Sequence, residues 1–388
     1  MSDVVHARIS PSGAERWIAC PPSIRMGDKY PDRESDAARQ GTITHKIGEL
    51  KLKAHMGLIS PAQYLEGLNQ ERKDILFIPA CEKYAEMYAD MVLEKFYEAK
   101  KLDPGAVLIV EQKIDLSNVI PGGFGFTDAT IIAAGIMEQI DLKFGIGVHV
   151  SAAENAQQML YAHGNLDAWD YLYDIKEVRI TIYQPRVNEE PDTWITSPAY
   201  IRDWCKSVAT PAALMAEKGD GVFTPGDHCR FCKARPTCRA LAEDNLRIAK
   251  GDFKAAEELT EAEISDILLK ESQFTGWVKA VKAYALETAR NGRKWPGFKL
   301  VTGASKRQYA DPDAVIQTLT DDAYYAIDQI SKRQPLGITE MTEFLGKRIF
   351  DKYVAPLTIK PDGAPTLAPL DDSRPEIGSI DSAIKDFS

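Results

Sequence analysis

Residues 125–164 read GFTDATIIAAGIMEQIDLKFGIGVHVSAAENAQQMLYAHG, and this stretch decides the fold of the chain. Side chains of the same kind recur at every second position on both sides of Ala133-Ala134-Gly135, which predicts two antiparallel strands joined by a tight turn. A loop follows, and then a pattern typical of a helix that runs to about residue 173. The stretch therefore predicts a strand–strand–helix unit.

Five polar side chains of this unit are expected to lie close together. Asp141 and Lys143 are two residues apart on one strand and share a face, and Asp128 lies on the paired strand. Gln157 and Tyr161 are four residues apart and share a face of the helix. Two carboxylates and an ammonium group on one face of a sheet can hold a divalent metal and activate a water molecule. If the hairpin faces solvent instead, the same residues are ordinary surface charges.

The composition is that of a globular protein with one large domain and an appendage. Of its 388 residues, 44% are hydrophobic and 27% are charged. The chain has no apolar run long enough to span a membrane and no N-terminal secretion signal, so we expect a cytoplasmic protein with no membrane partner. Its net charge of −10 is unusual for a protein that binds nucleic acid. Any binding of nucleic acid would therefore depend on a local basic groove and would weaken with salt.

Periodicity predicts the remaining elements in the order helix, three strands, helix, strand. Upstream of the central unit we expect a short helix at 14–19, a helix that begins at an N-cap Thr42, one or two helices over 61–102 and a strand at 107–116. Downstream we expect a fourth strand at 177–187, a helix at 197–218, and a helix that begins at a capping box at 260–263 and ends near 290. We expect the apolar stripe of this last helix to pack against the domain that precedes it. The fold class is α/β, with a mixed sheet flanked by helices.

Six cysteines in a cytosolic chain favour metal binding or free thiols over a disulfide framework. Cys229, Cys232 and Cys238 are closely spaced as C-x2-C-x5-C, among turn-forming residues. Three ligands cannot complete a tetrahedral site, so a fourth must come from elsewhere in the chain. Zinc held by these three cysteines together with His228 or Cys20 is one possibility. On its own, Cys20 is the kind of residue that is more often a buried apolar side chain than a ligand.

The ordered set of Asp128, Asp141-Leu142-Lys143 and the Gln157/Tyr161 helix resembles the core of the PD-(D/E)XK nucleases. It is similar in particular to the RecB-like branch, in which a Q-x-x-x-Y helix follows the D/E-x-K strand. The pattern G-T-x-x-H-x-x-x-E at residues 41–49 resembles the first helix of that branch. This resemblance implies that His45 is a metal ligand, whereas an isolated histidine on a helix is usually a surface or core residue. Glu49, one turn further on, is a supporting candidate.

The cysteine layout resembles the iron–sulfur members of the same branch, the CRISPR-associated and AddAB-type nucleases. These place one cysteine before the nuclease core and three after it, and a [4Fe–4S] cluster joins the two ends of the domain. The resemblance implies that Cys20, Cys229, Cys232 and Cys238 hold such a cluster. The layout of the whole chain is also similar to an uncharacterised phage-encoded family of such nucleases.

The resemblance implies a metal-dependent deoxyribonuclease with a restriction-endonuclease-like core. His45, Asp128 and Asp141 would hold Mg²⁺ or Mn²⁺, Lys143 would orient or deprotonate the attacking water, and Gln157 and Tyr161 would position the substrate or Lys143. It further implies an exonuclease of phage or prophage DNA recombination or replication. Its partners would be single-stranded DNA or end-bearing duplex, and a recombination or single-strand-binding protein. The rival hypotheses are a non-catalytic nucleic-acid-binding or scaffold protein with the same fold, and a zinc protein with no nuclease role.

The domains predicted from the sequence are an iron–sulfur nuclease domain over 1–245, a helical accessory region over 246–355 and a Pro/Asp-rich extended tail over 356–388. Basic and aromatic residues after the long helix can contact phosphates and stack on bases. Arg186, at the end of the fourth strand, can reach a phosphate. Alternatively, Arg186 is in a surface ion pair and the later segment is a solvated hairpin. The candidate nucleic-acid contacts are Arg186, Lys294, Trp295, Lys306 and Arg307.

Overall fold

A five-stranded mixed sheet forms the centre of the fold. The computed structural model describes residues 7–31, 34–146, 149–250, 259–298, 342, 346–353 and 355. The strands are β1 Val107–Asp115, β2 Phe124–Ala133, β3 Ile136–Leu142, β4 Glu177–Tyr183 and β5 Asp192–Thr196. They lie side by side in that order. Neighbouring strands are antiparallel except for β3 and β4, which are parallel.

Helices precede, cross and follow the sheet. Before it come α1 Ala14–Ala19, α2 Ser23–Gly27, α3 Asp36–His55, α4 Pro61–Glu71 and α5 Pro79–Leu102. Helix α6, Ala156–Tyr173, makes the crossover that a parallel pair of strands requires. After the sheet come α7 Pro198–Trp204, α8 Thr210–Lys218, α9 Arg239–Lys250 and α10 Glu261–Arg290, with a five-residue π-helix, Cys205–Ala209, between α7 and α8. A short helix, Lys347–Tyr353, lies further along the chain. In the described part of the chain, every helix is too short or too polar to cross a membrane.

The β2–β3 hairpin forms where the sequence predicts it. Ala134 and Gly135 both have positive φ angles, 49° and 75°, as a type I′ turn requires. Helix α5 packs on one face of the sheet through Tyr88 and Val92. Helix α6 packs on the other face, where its apolar side chains join those of β2, β3 and β4. Strand β3 is therefore buried on both sides, so its charged residues do not face bulk solvent.

Most predicted elements are present, and the α/β class with a mixed sheet flanked by helices is confirmed. Thr42 is not an N-cap: α3 begins six residues earlier, with the Ser35 hydroxyl accepting from the N–H of Ala38, and Thr42 donates to the Ala38 carbonyl inside the helix. Strand β4 ends at Tyr183, because the chain turns at Gln184 and the N–H of Val187 bonds to the Gln184 carbonyl. The short edge strand β5 was not predicted.

The chain divides into two compact units, Met1–Asn291 and Gly292–Ser388. The sheet and α10 both belong to the first unit, and the three-part division drawn from composition stays a prediction. The capping box at Thr260 and Glu263 is confirmed. The expected packing of the apolar stripe of α10 is not found at its beginning, where Ile264 and Leu268 are 46% and 49% exposed. The helix packs through its later part instead, where the Tyr284 ring meets that of Tyr30.

Candidate functional site

The candidate site lies where β2 and β3 separate. The two strands pair from the turn as far as Ala129 and Ile140. Beyond that pair, β2 continues alongside β1 to Phe124, and β3 continues alongside β4 to Leu142. The Asp128 carboxylate enters this fork and accepts a hydrogen bond of 2.9 Å from the N–H of Leu142. The carboxylate thus satisfies a backbone donor that the β2–β3 ladder leaves unpaired.

Two carboxylates and two cationic groups meet in the fork. The Nζ atom of Lys143 lies 2.9 Å from Oδ2 of Asp141. Nδ1 of His45, which projects from α3, lies 3.1 Å from Oδ2 of Asp128. Asp141 is 5% exposed, so the alternative of ordinary surface charges on a solvated hairpin is wrong. The structure brings together the side chains that the sequence singled out on four separate elements.

Burial and these neighbours change the pKa values of the four groups. Burial raises the pKa of Asp141 above its usual value, although Lys143 opposes this effect. Burial acts in the same direction on Asp128, but the adjacent His45 outweighs it and holds the pKa of Asp128 below its usual value. Burial alone would lower the pKa of His45, yet the Asp128 carboxylate raises it to about 9. The pKa of Lys143 is likewise raised by Asp141 against the effect of burial. Both cationic groups are therefore charged at neutral pH.

Helix α6 covers the fork on one side and contacts Lys143 through Gln157. Oε1 of Gln157 accepts a hydrogen bond of 3.2 Å from Lys143 Nζ, and Nε2 of Gln157 donates to the Tyr161 hydroxyl at 3.3 Å. The Tyr161 ring packs directly on Gly125 of β2, where any Cβ atom would collide with the ring. Gly125 is thus required by the close approach of Tyr161. Gln157 thus contacts Lys143 directly, and Tyr161 contacts Gln157.

Glu111 is a site residue that the sequence analysis missed. It lies on β1 opposite Asp128, between the pairs Val110–Ala129 and Gln112–Thr127, where the ladder is interrupted. Its φ angle is 51°, which is rare for a residue other than glycine and costly inside a strand. Burial, followed by the charges of Asp128 and Glu49, raises the pKa of Glu111 to about 7. An acidic residue after four β-branched or aliphatic residues was the available signal. Gln158, which contacts Asp141, was also missed.

The predicted nucleic-acid contacts fall into three groups. The guanidinium of Arg186 lies over the ring of Phe144, the residue that follows Lys143. The distance from the guanidinium carbon to the ring centroid is 4.4 Å. Lys294 is exposed, and the Trp295 ring lies under the Arg293 guanidinium. Lys306 and Arg307 lie outside the described residues.

The four cysteines assigned to a cluster line one cavity. Its empty volume is about 360 Å³, including the solvent at its mouth, and its wall includes Cys20, Cys229, Cys232 and Cys238. Burial raises the pKa of Cys20, and the nearby thiols of Cys232 and Cys238 raise it further. Cys20 thus lies beside cysteines more than two hundred positions away. Cys81 and Cys205 are buried free thiols elsewhere.

Neither site is a preformed metal centre in the described part of the chain, where no three His, Cys, Asp or Glu side chains converge closely enough to hold an ion. At the fork, Oδ2 of Asp141 is buried and lies 2.9 Å from Lys143 Nζ, with no further hydrogen bond in the described structure. Two aspartates and a histidine are donors of a kind that can bind a divalent cation. The four thiols surround their cavity without converging on one point, as Zn–S bonds of about 2.3 Å would require.

The wall of the cysteine cavity offers a hydrogen-bond donor to an occupant. Nε of Arg16, on the cavity wall, is buried with no hydrogen-bond partner in the described structure, and cluster sulfur atoms accept N–H hydrogen bonds. Nε2 of His228 is occupied by the Thr224 carbonyl at 2.9 Å, which leaves only its other nitrogen for a metal.

Comparison with known proteins gives a family match and, among solved structures, a distant likeness. A sequence model of the family described as "Protein of unknown function (DUF2800)" matches residues 6–375. The solved structure described as "Crystal structure of SSO0001" aligns with 56% of this chain and 95% of its own, at 11% identity and a TM-score of 0.23. A likeness at that TM-score carries no argument about fold or function.

Proposed function

Because the chain belongs to the DUF2800 family, whose description names no activity, we propose a function from the site itself: the protein is a metal-dependent deoxyribonuclease. The single observation that carries the proposal is the fork between β2 and β3. There, two buried carboxylates, an imidazole and a lysine come together from three elements. Carboxylates that can hold a metal, together with a cationic side chain beside them, can catalyse phosphodiester hydrolysis. The sequence resemblance to PD-(D/E)XK nucleases supports the same function.

Each residue of the fork has a separate role in the proposal. Asp128, Asp141 and His45 would hold the ion, and a histidine in this set favours Mn²⁺ over Mg²⁺. A bound Mg²⁺ or Mn²⁺ supplies Lewis-acid stabilisation of the charge that develops on the scissile phosphate. Lys143 stays protonated at neutral pH because Asp141 raises its pKa. In this state Lys143 can orient the attacking water and stabilise negative charge; deprotonation of the water is the second role proposed for it.

The proposal includes a [4Fe–4S] cluster held by Cys20, Cys229, Cys232 and Cys238. When bound, such a cluster would cross-link the segment before the sheet to the segment after it. The support is the shared cavity of the four thiols and the buried, unpartnered Nε of Arg16. A metal cross-link that closes a long loop stabilises a fold more than one that closes a short loop.

The proposed substrate is DNA with a free end or a single strand. Arg186 stacks on Phe144 directly after Lys143, so it can contact a phosphate next to the one that is cleaved. An end-labelled substrate distinguishes release of mononucleotides, which indicates an exonuclease, from internal cuts.

The test is anaerobic cleavage of end-labelled DNA in the presence of Mn²⁺. Lys143→Ala should slow cleavage by about 100-fold or more at saturating metal, as expected for a positioned electrostatic group. Lys95→Ala is the matched control. Lys95 is 27% exposed and pairs with Glu138 of β3 at 2.7 Å, much as Lys143, 25% exposed, pairs with Asp141. If the two variants lose cleavage rate equally, or if Lys143→Ala loses none, the nuclease proposal is wrong and the non-catalytic scaffold hypothesis takes its place.

A further inference from the structure

We infer that Gln158, a buried residue of α6, is a positioning residue that fixes the Asp141 carboxylate for metal binding. Nε2 of Gln158 donates a hydrogen bond of 2.7 Å to Oδ1 of Asp141. Gln158 is adjacent to the motif residue Gln157, but it contacts a carboxylate, whereas Gln157 contacts Lys143. The inference rests on the proposed function only in taking Asp141 as a metal ligand.

A carboxylate needs such a partner because its terminal torsion is broad and two-fold. Asp141 could rotate about this bond and present either oxygen to the fork. The hydrogen bond from Gln158 fixes Oδ1, so that Oδ2 remains on the side of Lys143 Nζ, 2.9 Å away. Oδ2 takes no other hydrogen bond of good geometry. It is the atom with a free lone pair for a cation.

Gln158 is itself held by a chain of amides inside the protein. Its Oε1 accepts a hydrogen bond of 2.5 Å from Nε2 of Gln139 on β3. Oε1 of Gln139 in turn accepts one of 3.1 Å from Nδ2 of Asn165, which also donates to the Thr130 hydroxyl. Gln158, Asn165 and Thr130 are all 0% exposed. This chain of amide hydrogen bonds therefore runs from the interior of the sheet to the fork.

Asp141 determines which group donates and which accepts at each step of this chain of amide hydrogen bonds. An ionised carboxylate only accepts hydrogen bonds, so the NH₂ group of Gln158 must face it. The carbonyl oxygen of Gln158 then faces Gln139, and the same order passes on to Asn165. Oδ1 of Asn165 is left buried without a partner in the described structure. A buried acceptor without a hydrogen bond is unfavourable. It follows here from the order of donors and acceptors that keeps the Asp141 carboxylate in one orientation.

The test measures Mn²⁺ binding to the full chain without DNA, from the electron paramagnetic resonance signal of free Mn²⁺. Gln158→Met has a similar length and no donor, and it should weaken binding by about 10- to 100-fold, as for other residues that orient a metal ligand. Gln184→Met is the matched control, because Gln184 is also buried but bonds the Val150 N–H and the Gly145 carbonyl; its Mn²⁺ affinity should equal that of the parent. In cleavage assays, Gln158→Met should raise the Mn²⁺ concentration needed for half-maximal rate while kcat at saturating Mn²⁺ is largely kept. A loss of packing alone would not produce this division.

Gln139→Met keeps Gln158 and removes its anchor, so it should weaken Mn²⁺ binding in the same direction by a smaller factor. It is the variant to use if Gln158→Met does not fold. Parent-like Mn²⁺ affinity in whichever of the two variants folds would overturn the inference. Mn²⁺ binding that needs Gln158 but leads to no DNA cleavage would contradict the nuclease proposal alone, whereas a parent chain that binds no Mn²⁺ would overturn both.

Discussion

Replacing Glu111 by glutamine should stabilise the metal-free protein at neutral and alkaline pH. Glu111 faces Asp128 across the interrupted β1–β2 ladder, and its backbone has a φ angle of 51°. Burial, Asp128 and Glu49 raise its pKa to about 7. The ionised carboxylate is therefore unfavourable in the folded state. Glutamine has the same shape and hydrogen-bonding reach without the charge.

The magnitude follows from the difference between a pKa of about 7 in the folded protein and the ordinary value of 4.5. Each pKa unit corresponds to about 1.36 kcal/mol, so the charge costs roughly 2 to 3 kcal/mol once contact with solvent is allowed for. An acid whose pKa rises on folding holds its proton more tightly in the folded state. Stability therefore falls as the pH rises from 4.5 to about 7 and then levels off.

Thermal unfolding in a metal chelator measures this cost. At about pH 8, Glu111→Gln should unfold about 4 °C or more above the parent, and at about pH 5 most of the gain should be absent. Glu177→Gln is the control, because Glu177 is in the same sheet but pairs with Arg179 at 2.7 Å. Saturating Mn²⁺ should reduce the gain, since a cation beside Asp128 would favour the ionised Glu111. If Glu111→Gln is no more stable than the parent at pH 8, or is equally stabilised at both pH values, the ionised Glu111 carboxylate does not destabilise the folded protein.

Three further predictions concern other parts of the molecule. Cys20→Ala, purified anaerobically, should lose iron and unfold at a lower temperature, whereas Cys81→Ala should keep its iron; equal iron in both would remove Cys20 from the cluster. Gly125→Ala should displace the Tyr161 ring, destabilise the fold by about 1–3 kcal/mol and slow cleavage, while Gly145→Ala, with open space at its Cβ, should change neither. DNA affinity should fall steeply with salt, and Arg186→Gln should reduce the slope of log affinity against log salt by about one; an unchanged slope would exclude a phosphate contact.

The sequence predicts features that depend on neighbouring residues. The Ala134-Gly135 turn and the spacing of Gln157 and Tyr161 follow from local periodicity. Asp141 and Lys143 share a face because side chains alternate along a strand. For these features the structure agrees with the prediction, because each is set within a few positions of the chain.

Features that depend on distant contacts were not predictable in this way. Glu111 becomes important only because β2 places Asp128 opposite it. Gln158 looks like any polar helix residue until α6 is packed over β3. Strand β5 is five residues long and follows a turn, so its pairing with β4 determines it more than its own propensity. Thr42 resembled a cap because the polar residues before it gave no apolar period.

The contact between α2 and α8 has a consequence for biosynthesis. The Arg25 guanidinium donates to the Glu217 carbonyl across 192 positions of the chain, beside the cavity that contains Cys20. At about 5–20 residues per second, the ribosome needs roughly 10 to 40 s to make the second partner after the first. During that interval the N-terminal helices have emerged but α8, which they later contact, has not been made. Cys20 is then present without Cys229, Cys232 and Cys238. Insertion of the proposed cluster would thus be confined to the period after residue 238 leaves the exit tunnel.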